Sequence, residues 1–477
     1  MEQKQMKTRE KMLFAWGDVF GGGAQALVGV LYLIFLTDII GLDPALAALA
    51  ITVSKIWDAV IDPALGVIGD NTRSKIGRRR PYILAGGIAF ILVFALMWLP
   101  TNHWESDLWK MVYAITTFVF YTSASSMISV SYSSLSAEIT TNLKERNSVN
   151  ILRLVMSTIA TAVCTLLPSM ILEMYKKGSV TLTEFYLIIG IGFGLFFALP
   201  IILIGFFTKE RAPIPSTKSV FDLKSFVKPL KVKAFRGLVY MYLCQSIAMD
   251  ILSAGIMYYA LYVAKGSSTV FLGIFIGVQL LMFPLINALV NKVDKKKIYY
   301  FGLPLALVAF IGVGIYPSDW PIIGAYILTG FTALGFAGAQ LISWIIFPDA
   351  VDVGELRFGY RPTGSFSGIM TFIRQAASAI AIQIFGIMLS VSGYIKATEE
   401  VPIPVQPDSA ILGIRIAMVG SFVLLMAIGY LVARRFVLTR KKSEQVRRLL
   451  ALSREIPKAE WDAADQTEFE ELKAEIF

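Results

Sequence analysis

Three ionisable residues, Lys55, Asp58 and Asp62, lie close together within an apolar stretch of the chain. Their spacing of i, i+3 and i+7 places them on one face of a helix. Two carboxylates one turn apart repel each other when both are ionised, so the pair favours a shared proton or a small hard cation such as Na⁺. Either answer describes a coupling-ion site. The alternative is a salt-bridged trio that fixes the helix to a neighbour, although burying three ionisable groups for packing alone is a poor solution.

Arg374 is a further charged residue inside an apolar stretch. A buried guanidinium requires a carboxylate, and the Asp58–Asp62 pair is the partner that we expect. Two alternatives stay open, namely direct binding of an anionic or hydroxyl-rich substrate and a purely structural bridge. Weaker candidates for a polar cavity are Asp18, Asp250 and Gln340.

Polar side chains in the other apolar stretches are candidates for substrate binding. A run of hydroxyls from Ser123 to Ser134 offers ion ligands, of which we assign Ser126 to the cation, and hydrogen bonds to a sugar. Each serine could instead serve only as a small residue that lets helices pack closely. The Arg153 side chain could instead extend to the membrane edge without binding substrate. The aromatic residues could instead make only lipid or core contacts. The residues predicted to bind substrate are Gln25, Ser129, Tyr132, Arg153, Trp344 and Arg374.

The elements that position these residues are membrane-spanning helices. Of the 477 residues, 56% are hydrophobic and only 16% are charged, and apolar runs of about twenty residues recur along the chain, about what a helix needs to cross a bilayer. Single-span receptors and peripheral proteins are therefore excluded. The twelve spans that we predict are 12–37, 45–69, 81–100, 108–136, 149–172, 183–207, 236–263, 269–290, 297–316, 320–347, 363–392 and 409–436.

Lysine and arginine concentrate in the connections on one side of these spans. This bias predicts that both termini are cytoplasmic in the plasma (inner) membrane. The predicted organisation is an N-terminal six-helix half (1–207), a basic cytoplasmic linker (208–235), a C-terminal six-helix half (236–438) and a cytoplasmic tail (439–477). Two six-helix halves joined by a basic loop are the plan of the all-α major facilitator fold.

Scarce residue types exclude several functions. The chain has one histidine and two cysteines, which removes histidine-based catalysis and His-rich metal sites, so we expect no enzyme activity and no cofactor. The net charge of +10 is expected to report membrane topology rather than a nucleic-acid partner. A phosphate-binding Gly-rich loop is missing from the sequence, so uphill transport would depend on an ion gradient.

The chain resembles the glycoside–pentoside–hexuronide:cation symporters, the family of the melibiose permease. The resemblance extends from Phe14 to about Arg435. Its motifs are Lys55–Pro63 continued by Asp70–Arg78, then Ala137–Thr140 with Glu145, Arg146 and Arg153, and then Pro348–Glu355 with Gly359–Gly364.

The resemblance implies a sugar-type substrate in a central cavity, with H⁺, Na⁺ or Li⁺ as coupling ion. It implies that Asp58 and Asp62 hold the cation, that Lys55 and Arg374 are the basic residues of this site, and that Arg153 lies near the sugar. Groups expected to form a cytoplasmic gate are Asp70, Arg73, Arg78, Glu138, Asp349, Asp352 and Glu355.

The chain departs from the family pattern at three positions. Gly22 and Ser129 stand where the melibiose permease has galactoside-binding aspartates, so galactoside specificity is not expected, and an acidic sugar such as a uronide suits a cavity with fewer acids. Ile61 replaces an asparagine beside the ion site, which favours H⁺ over Na⁺.

The predicted function is thus import of a sugar or glycoside, with a uronide or pentoside among the candidates, in symport with H⁺ or Na⁺ by a monomer. Two alternatives stay open: cation-coupled transport of a lysolipid-like amphiphile, and a non-transporting membrane sensor on the same fold.

Overall fold

The structure, a computed structural model, describes residues 6–140, 143–211, 223–290, 292–361, 363–398, 401–456 and 460–477. These residues form helices and no strands, and twelve of the helices are long and apolar enough to span a membrane, which confirms the all-helical prediction. The spans are α1 (Thr8–Ile39), α2 (Pro44–Asn71), α3 (Arg80–Met97), α4 (Asp107–Ser136), α5 (Ser148–Lys176), α6 (Leu182–Phe207), α7 (Lys233–Val263), α8 (Ser268–Val290), α9 (Lys295–Ile315), α10 (Ile323–Phe358), α11 (Thr363–Val391) and α12 (Asp408–Arg435).

The chain forms two compact units that do not follow its two halves. The first unit contains Met1–Phe221 together with Ser253–Gly273 and Ala379–Ala417. The second unit contains Asp222–Leu252, Ile274–Ser378 and Met418–Phe477. Two segments of the second half, the α7–α8 turn and the α11–α12 connection, therefore pack within the first unit.

Local sequence explains where α2 begins. The carboxylate of Asp43 accepts a hydrogen bond from the backbone N–H of Ala45 at 2.9 Å, and Pro44 occupies the first helical turn. A proline is favourable there because its missing N–H would have no partner in any case. The helix then continues past Pro63 to Asn71, so the face that carries the α2 carboxylates lies on a single helix.

The largest difference from the predicted spans is at α10, which was expected to end at residue 347. The helix runs through Pro348 and ends at Phe358. Gly359 follows with a φ of 77°, a left-handed conformation that terminates helices and is least costly for glycine. The acidic motif that starts at Pro348 is consequently helical, and its carboxylates lie on turns of α10.

Gly22 has a packing reason to be glycine. In the first unit α1 packs along α5, and a Cβ on Gly22 would collide with the carbonyl oxygen of Ser157. An aspartate at this position would require the two helices to separate.

The tail and the linker complete the description. Residues after α12 form α13 (Arg440–Glu455) and α14 (Ala463–Ile476), and α13 packs on α10 within the second unit. Of the predicted linker 208–235, residues 212–222 lie outside the described residues.

Candidate functional site

The α2 carboxylates lie on a half-buried face that packs beside α4. Lys55, Asp58 and Asp62 are all half-buried, and Asp58 accepts a hydrogen bond from the hydroxyl of Ser126 at 2.7 Å. On the preceding residue of α2, Trp57 donates its indole N–H to the hydroxyl of Ser123 at 2.8 Å. We call Lys55, Asp58, Asp62 and Ser126 the Asp58 site. Its role in cation binding remains a prediction.

A second polar group lies on α1, α4 and α5, and we call Asp18, Tyr132 and Arg153 the Asp18 cluster. The guanidinium Nε of Arg153 is 2.5 Å from the Asp18 carboxylate, and the Tyr132 hydroxyl donates to the same carboxylate at 2.9 Å. Arg153 also lies over the Tyr132 ring, 4.5 Å from its centroid. The side chains of Arg153 and Asp18 are 17% and 13% exposed. Arg153 is therefore paired and largely buried inside the first unit.

Two other predicted substrate residues share these helices. Ser129 is half-buried and lies midway between Ser126 and Tyr132, three residues from each, so the three occupy one face of α4. Gln25 is exposed on α1, two turns after Asp18, in a stretch where Gly21 is exposed as well. Gln25 and Gly21 are therefore both accessible on the surface of α1.

The second unit contains its own arginine–carboxylate pair. Arg374 on α11 lies 3.2 Å from Asp250 on α7, and the hydroxyl of Ser378 donates to the same carboxylate. Nearby, Tyr242 packs edge-on against Trp344, with ring centroids 5.3 Å apart. Trp344 is 55% exposed.

Within the second unit, the carboxylate beside Arg374 is thus Asp250. The expected pairing of Arg374 with Asp58 and Asp62 stays a prediction. Arg153 likewise has Asp18. A carboxylate therefore lies beside each of these two arginines and offsets its charge.

The predicted gate residues of the first unit surround the connection between α2 and α3. Arg79 pairs with Asp70, and both Arg78 and Arg79 bind Glu138. Arg73 instead donates to the Asp70 carbonyl at 2.8 Å, at the end of α2. Arg79 was missed because a run of three arginines does not reveal which of them points inward.

Glu210 binds the backbone of the connection between α2 and α3. Its carboxylate accepts the backbone N–H groups of Arg78 and Arg79 at 2.7 and 2.8 Å. A carboxylate at these unpaired N–H groups, where α3 begins, is favourable because it satisfies donors that have no helical partner.

In the second unit the α10 carboxylates bind three basic residues. Asp349 pairs with Lys295 at 2.6 Å and with Arg447 of α13 at 2.7 Å. Arg361 binds Asp352 and Glu355 at 2.9 and 2.6 Å. The hydrogen bond to Asp349 raises the pKa of Arg447, which keeps the guanidinium charged. Arg447 belongs to the tail, to which the sequence analysis gave no role.

The most deeply buried ion pair among the described residues was also missed. Lys176 at the end of α5 is 2.5 Å from Asp38 at the end of α1, and their side chains are 1% and 0% exposed. The hydroxyls of Tyr262 and Tyr394 also donate to Asp38, the latter at 2.6 Å. We call these four residues the Asp38 cluster, and all of them lie in the first unit.

Local helix geometry is consistent with a functional role for the Asp38 cluster. Asp38 lies in a π-helical turn, Phe35–Ile39, and Tyr262 lies in another, Tyr259–Val263. Such turns are rare and often mark functional positions. The sequence does carry a signal, since an acid and a base terminate two spans at the same predicted face. Both were assigned to the connections instead, so their burial was not expected.

Comparisons with known proteins agree with this architecture. Residues 13–440 match the family model described as MFS/sugar transport protein. The chain is 28% identical to the uncharacterized symporter sll1374 of Synechocystis sp., over 92% of this chain and 96% of that protein. It is 29% identical to a putative sulfoquinovose importer of Salmonella typhimurium (86% and 85% covered) and 24% identical to the glucuronide carrier protein homolog of Escherichia coli (93% and 95% covered).

Among solved structures, a D-xylose-proton symporter aligns with a TM-score of 0.61 at 13% identity, over 89% of this chain and 96% of the other. At this identity the likeness shows the fold alone, and that fold is the major facilitator fold with twelve membrane-spanning helices.

Proposed function

Because the chain belongs to the MFS/sugar transport protein family, we propose that it is a secondary symporter that imports a sugar or glycoside together with a proton. The observation that carries the proposal is that α4 supplies a partner to two polar sites. Ser126 binds Asp58, and Tyr132, six residues further along, binds Asp18. Because one helix contacts both sites, a change of charge at one can alter the geometry of the other.

The Asp18 cluster suits the hydroxyls of a sugar. The Asp18 carboxylate accepts hydrogen bonds and the Arg153 guanidinium donates them, so together they match adjacent hydroxyls, which both donate and accept. The Tyr132 ring is already covered by Arg153, and the exposed Gln25 adds a further donor and acceptor on α1.

The Asp58 site would carry the coupling ion. A proton shared by Asp58 and Asp62 removes their mutual repulsion. The apolar Ile61 next to Asp62 offers no additional oxygen ligand for Na⁺, which supports the proton. In this scheme only the empty or the fully loaded carrier changes between inward and outward states, and this restriction couples the two fluxes.

The basic residues in the connections between spans support an orientation of this carrier in the membrane. If the α2–α3 connection is cytoplasmic, the Asp38 cluster lies at the opposite end of α1 and α5, on the outer side. It joins α1 and α5 to Tyr262 and Tyr394 of the second half. We propose that it closes the outer side and separates when the carrier opens outward.

The test is thermal stabilisation of the purified protein in detergent, because a ligand that binds the folded state raises its melting temperature. The panel contains a glucuronide, sulfoquinovose, isoprimeverose, melibiose and a lysophospholipid, each at two pH values with and without Na⁺. We expect a sugar to stabilise the protein in a pH-dependent and Na⁺-independent way. Stabilisation by the lysophospholipid alone would overturn the sugar assignment, and a Na⁺ requirement would overturn the proton assignment.

A matched pair of variants locates the binding. Asp18→Asn removes the carboxylate of the proposed sugar site, whereas Asp319→Asn removes an exposed carboxylate between α9 and α10. The sugar response should be lost in the first variant and retained in the second. Equal responses in both would contradict the assignment of the Asp18 cluster.

A further inference from the structure

A basic cavity lies where the ends of α8 and α9 meet the start of α13. It has a volume of about 500 Å³ and is lined by Lys292, Lys297, Arg440, Lys441, Asp294 and Glu444. All of these residues belong to the second unit. The cavity shares no residue with the Asp58 site, the Asp18 cluster or the α10 carboxylates.

The carboxylates of this cavity already have partners. Asp294 accepts the backbone N–H of Arg440 at 2.8 Å, and Glu444 binds the Arg440 guanidinium at 3.0 Å. For Lys292, Lys297 and Lys441, the described part of the chain contains no carboxylate within ion-pair distance. Three exposed ammonium groups therefore face one cavity without an ion-pair partner. With four basic residues and two carboxylates in its lining, the cavity has a net charge of +2, which favours an anion.

The position of the cavity indicates what kind of molecule carries that anionic group. α8 ends at Val290, α9 begins at Lys295 and α12 ends at Arg435, so the lysines lie at the boundary between the spans and water. One turn beyond Lys297, Phe301 is 85% exposed on the outer surface of α9. A phosphate in the cavity would thus lie beside the apolar Phe301 side chain. A lipid needs such an apolar surface for its acyl chain.

We propose that this cavity binds the phosphate of an anionic phospholipid, with the lysines around the headgroup and an acyl chain along Phe301. Basic pockets at the ends of membrane helices are a known way to hold such headgroups. The bound lipid would join α13 to the ends of α8 and α9. Because α13 also carries Arg447 to Asp349, the lipid would hold the tail in its docked position.

The test measures binding of short-chain phosphatidylglycerol to the full-length protein in neutral detergent, through the rise in melting temperature. Phosphatidylcholine and inorganic phosphate are titrated in parallel. We expect phosphatidylglycerol to stabilise the protein at concentrations where the other two do not. Equal stabilisation by inorganic phosphate would show a site for the free anion and overturn the lipid assignment, and equal stabilisation by phosphatidylcholine would show a non-specific detergent effect.

Charge-matched variants locate the site. The triple variant K292Q/K297Q/K441Q should bind phosphatidylglycerol roughly 100-fold more weakly, since each basic residue near an anionic lipid contributes roughly fivefold. The control K75Q/K209Q/K231Q removes the same charge from other exposed lysines and should bind as the unmodified protein does. Melting temperatures without lipid check that both variants are folded, and equal weakening in the two variants would contradict the proposal.

Discussion

Asp58 and Asp38 are acids of the same half of the chain in opposite surroundings. Asp58 is half-buried beside Trp57, which is 40% exposed, and it receives a hydrogen bond from Ser126. Asp38 has a side chain that is 0% exposed and binds Lys176 and the hydroxyls of two tyrosines. A carboxylate that takes up and releases a proton needs a path to water, whereas one enclosed by donors is held in a fixed set of contacts. The comparison supports our proposals that Asp58 exchanges the coupling ion and that Asp38 belongs to the closure on the outer side.

The largest expected effect is on transport. Asp58→Asn should abolish proton-driven uptake of the stabilising sugar into proteoliposomes, because an amide cannot bind and release the proton. Its melting temperature should change little, since Asp58 is only half-buried. Asp319→Asn is the control and should transport normally. Full uphill uptake by both Asp58→Asn and Asp62→Asn would remove the Asp58 site from the mechanism.

The next effect concerns stability at the Asp38 cluster. Lys176→Met leaves the Asp38 carboxylate buried without its cation, and removing one partner of a buried pair costs about 3–5 kcal/mol. The melting temperature should therefore fall strongly. The double variant Asp38→Asn/Lys176→Met removes both charges and should recover much of the loss. A double variant as unstable as the single one would show that the ion pair is not what holds this region together.

A smaller effect is expected on sugar affinity. Asp18→Asn should weaken sugar binding by roughly tenfold or more, because the amide accepts fewer hydrogen bonds and no longer holds Arg153 through a charge. Tyr132→Phe keeps the ring against Arg153 and removes only the hydroxyl, so its effect should be smaller. Sugar titrations followed by melting temperature measure both. If Tyr132→Phe weakened binding more than Asp18→Asn, the carboxylate would not be the principal recognition group.

The smallest effect is expected at the hydroxyl of Ser126. Ser126→Ala removes one hydrogen bond to Asp58 and should slow proton-driven uptake by roughly threefold to tenfold, the value of a single such bond. Ser134→Ala on the same helix removes a hydroxyl that bonds to the Val130 carbonyl of its own helix at 2.9 Å. It should transport at the normal rate. Equal slowing in both variants would indicate a general effect on α4 packing.

The sequence was sufficient for the spans and for the face of α2, because hydropathy and helical spacing depend on local residues. It also identified Ser126, Arg153 and Arg374 as polar groups inside spans. Their partners could not be predicted, since the pairing of Arg153 with Asp18 depends on how α1 and α5 pack. The same is true of Arg374 and Asp250.

The Asp38 cluster shows a second limit of the sequence. Positive residues near span ends are ordinarily assigned to aqueous connections, and Lys176 follows that rule in the sequence. Its distant contacts are the Tyr262 hydroxyl and the Pro402 carbonyl, which are more than 80 residues away along the chain. Tertiary packing of this kind leaves no local pattern. The end of α10 was likewise mispredicted because a proline within a long apolar helix need not terminate it.

The most direct test of proton coupling through Asp58 is proton movement driven by the sugar itself. Proteoliposomes containing a pH-sensitive dye are prepared without any ion gradient, and the stabilising sugar is added outside. We expect acidification of the lumen with the unmodified protein, in the presence or absence of Na⁺. We expect none with Asp58→Asn, although that variant should still bind the sugar. Sugar uptake without acidification, or uptake that requires Na⁺, would contradict proton coupling through Asp58.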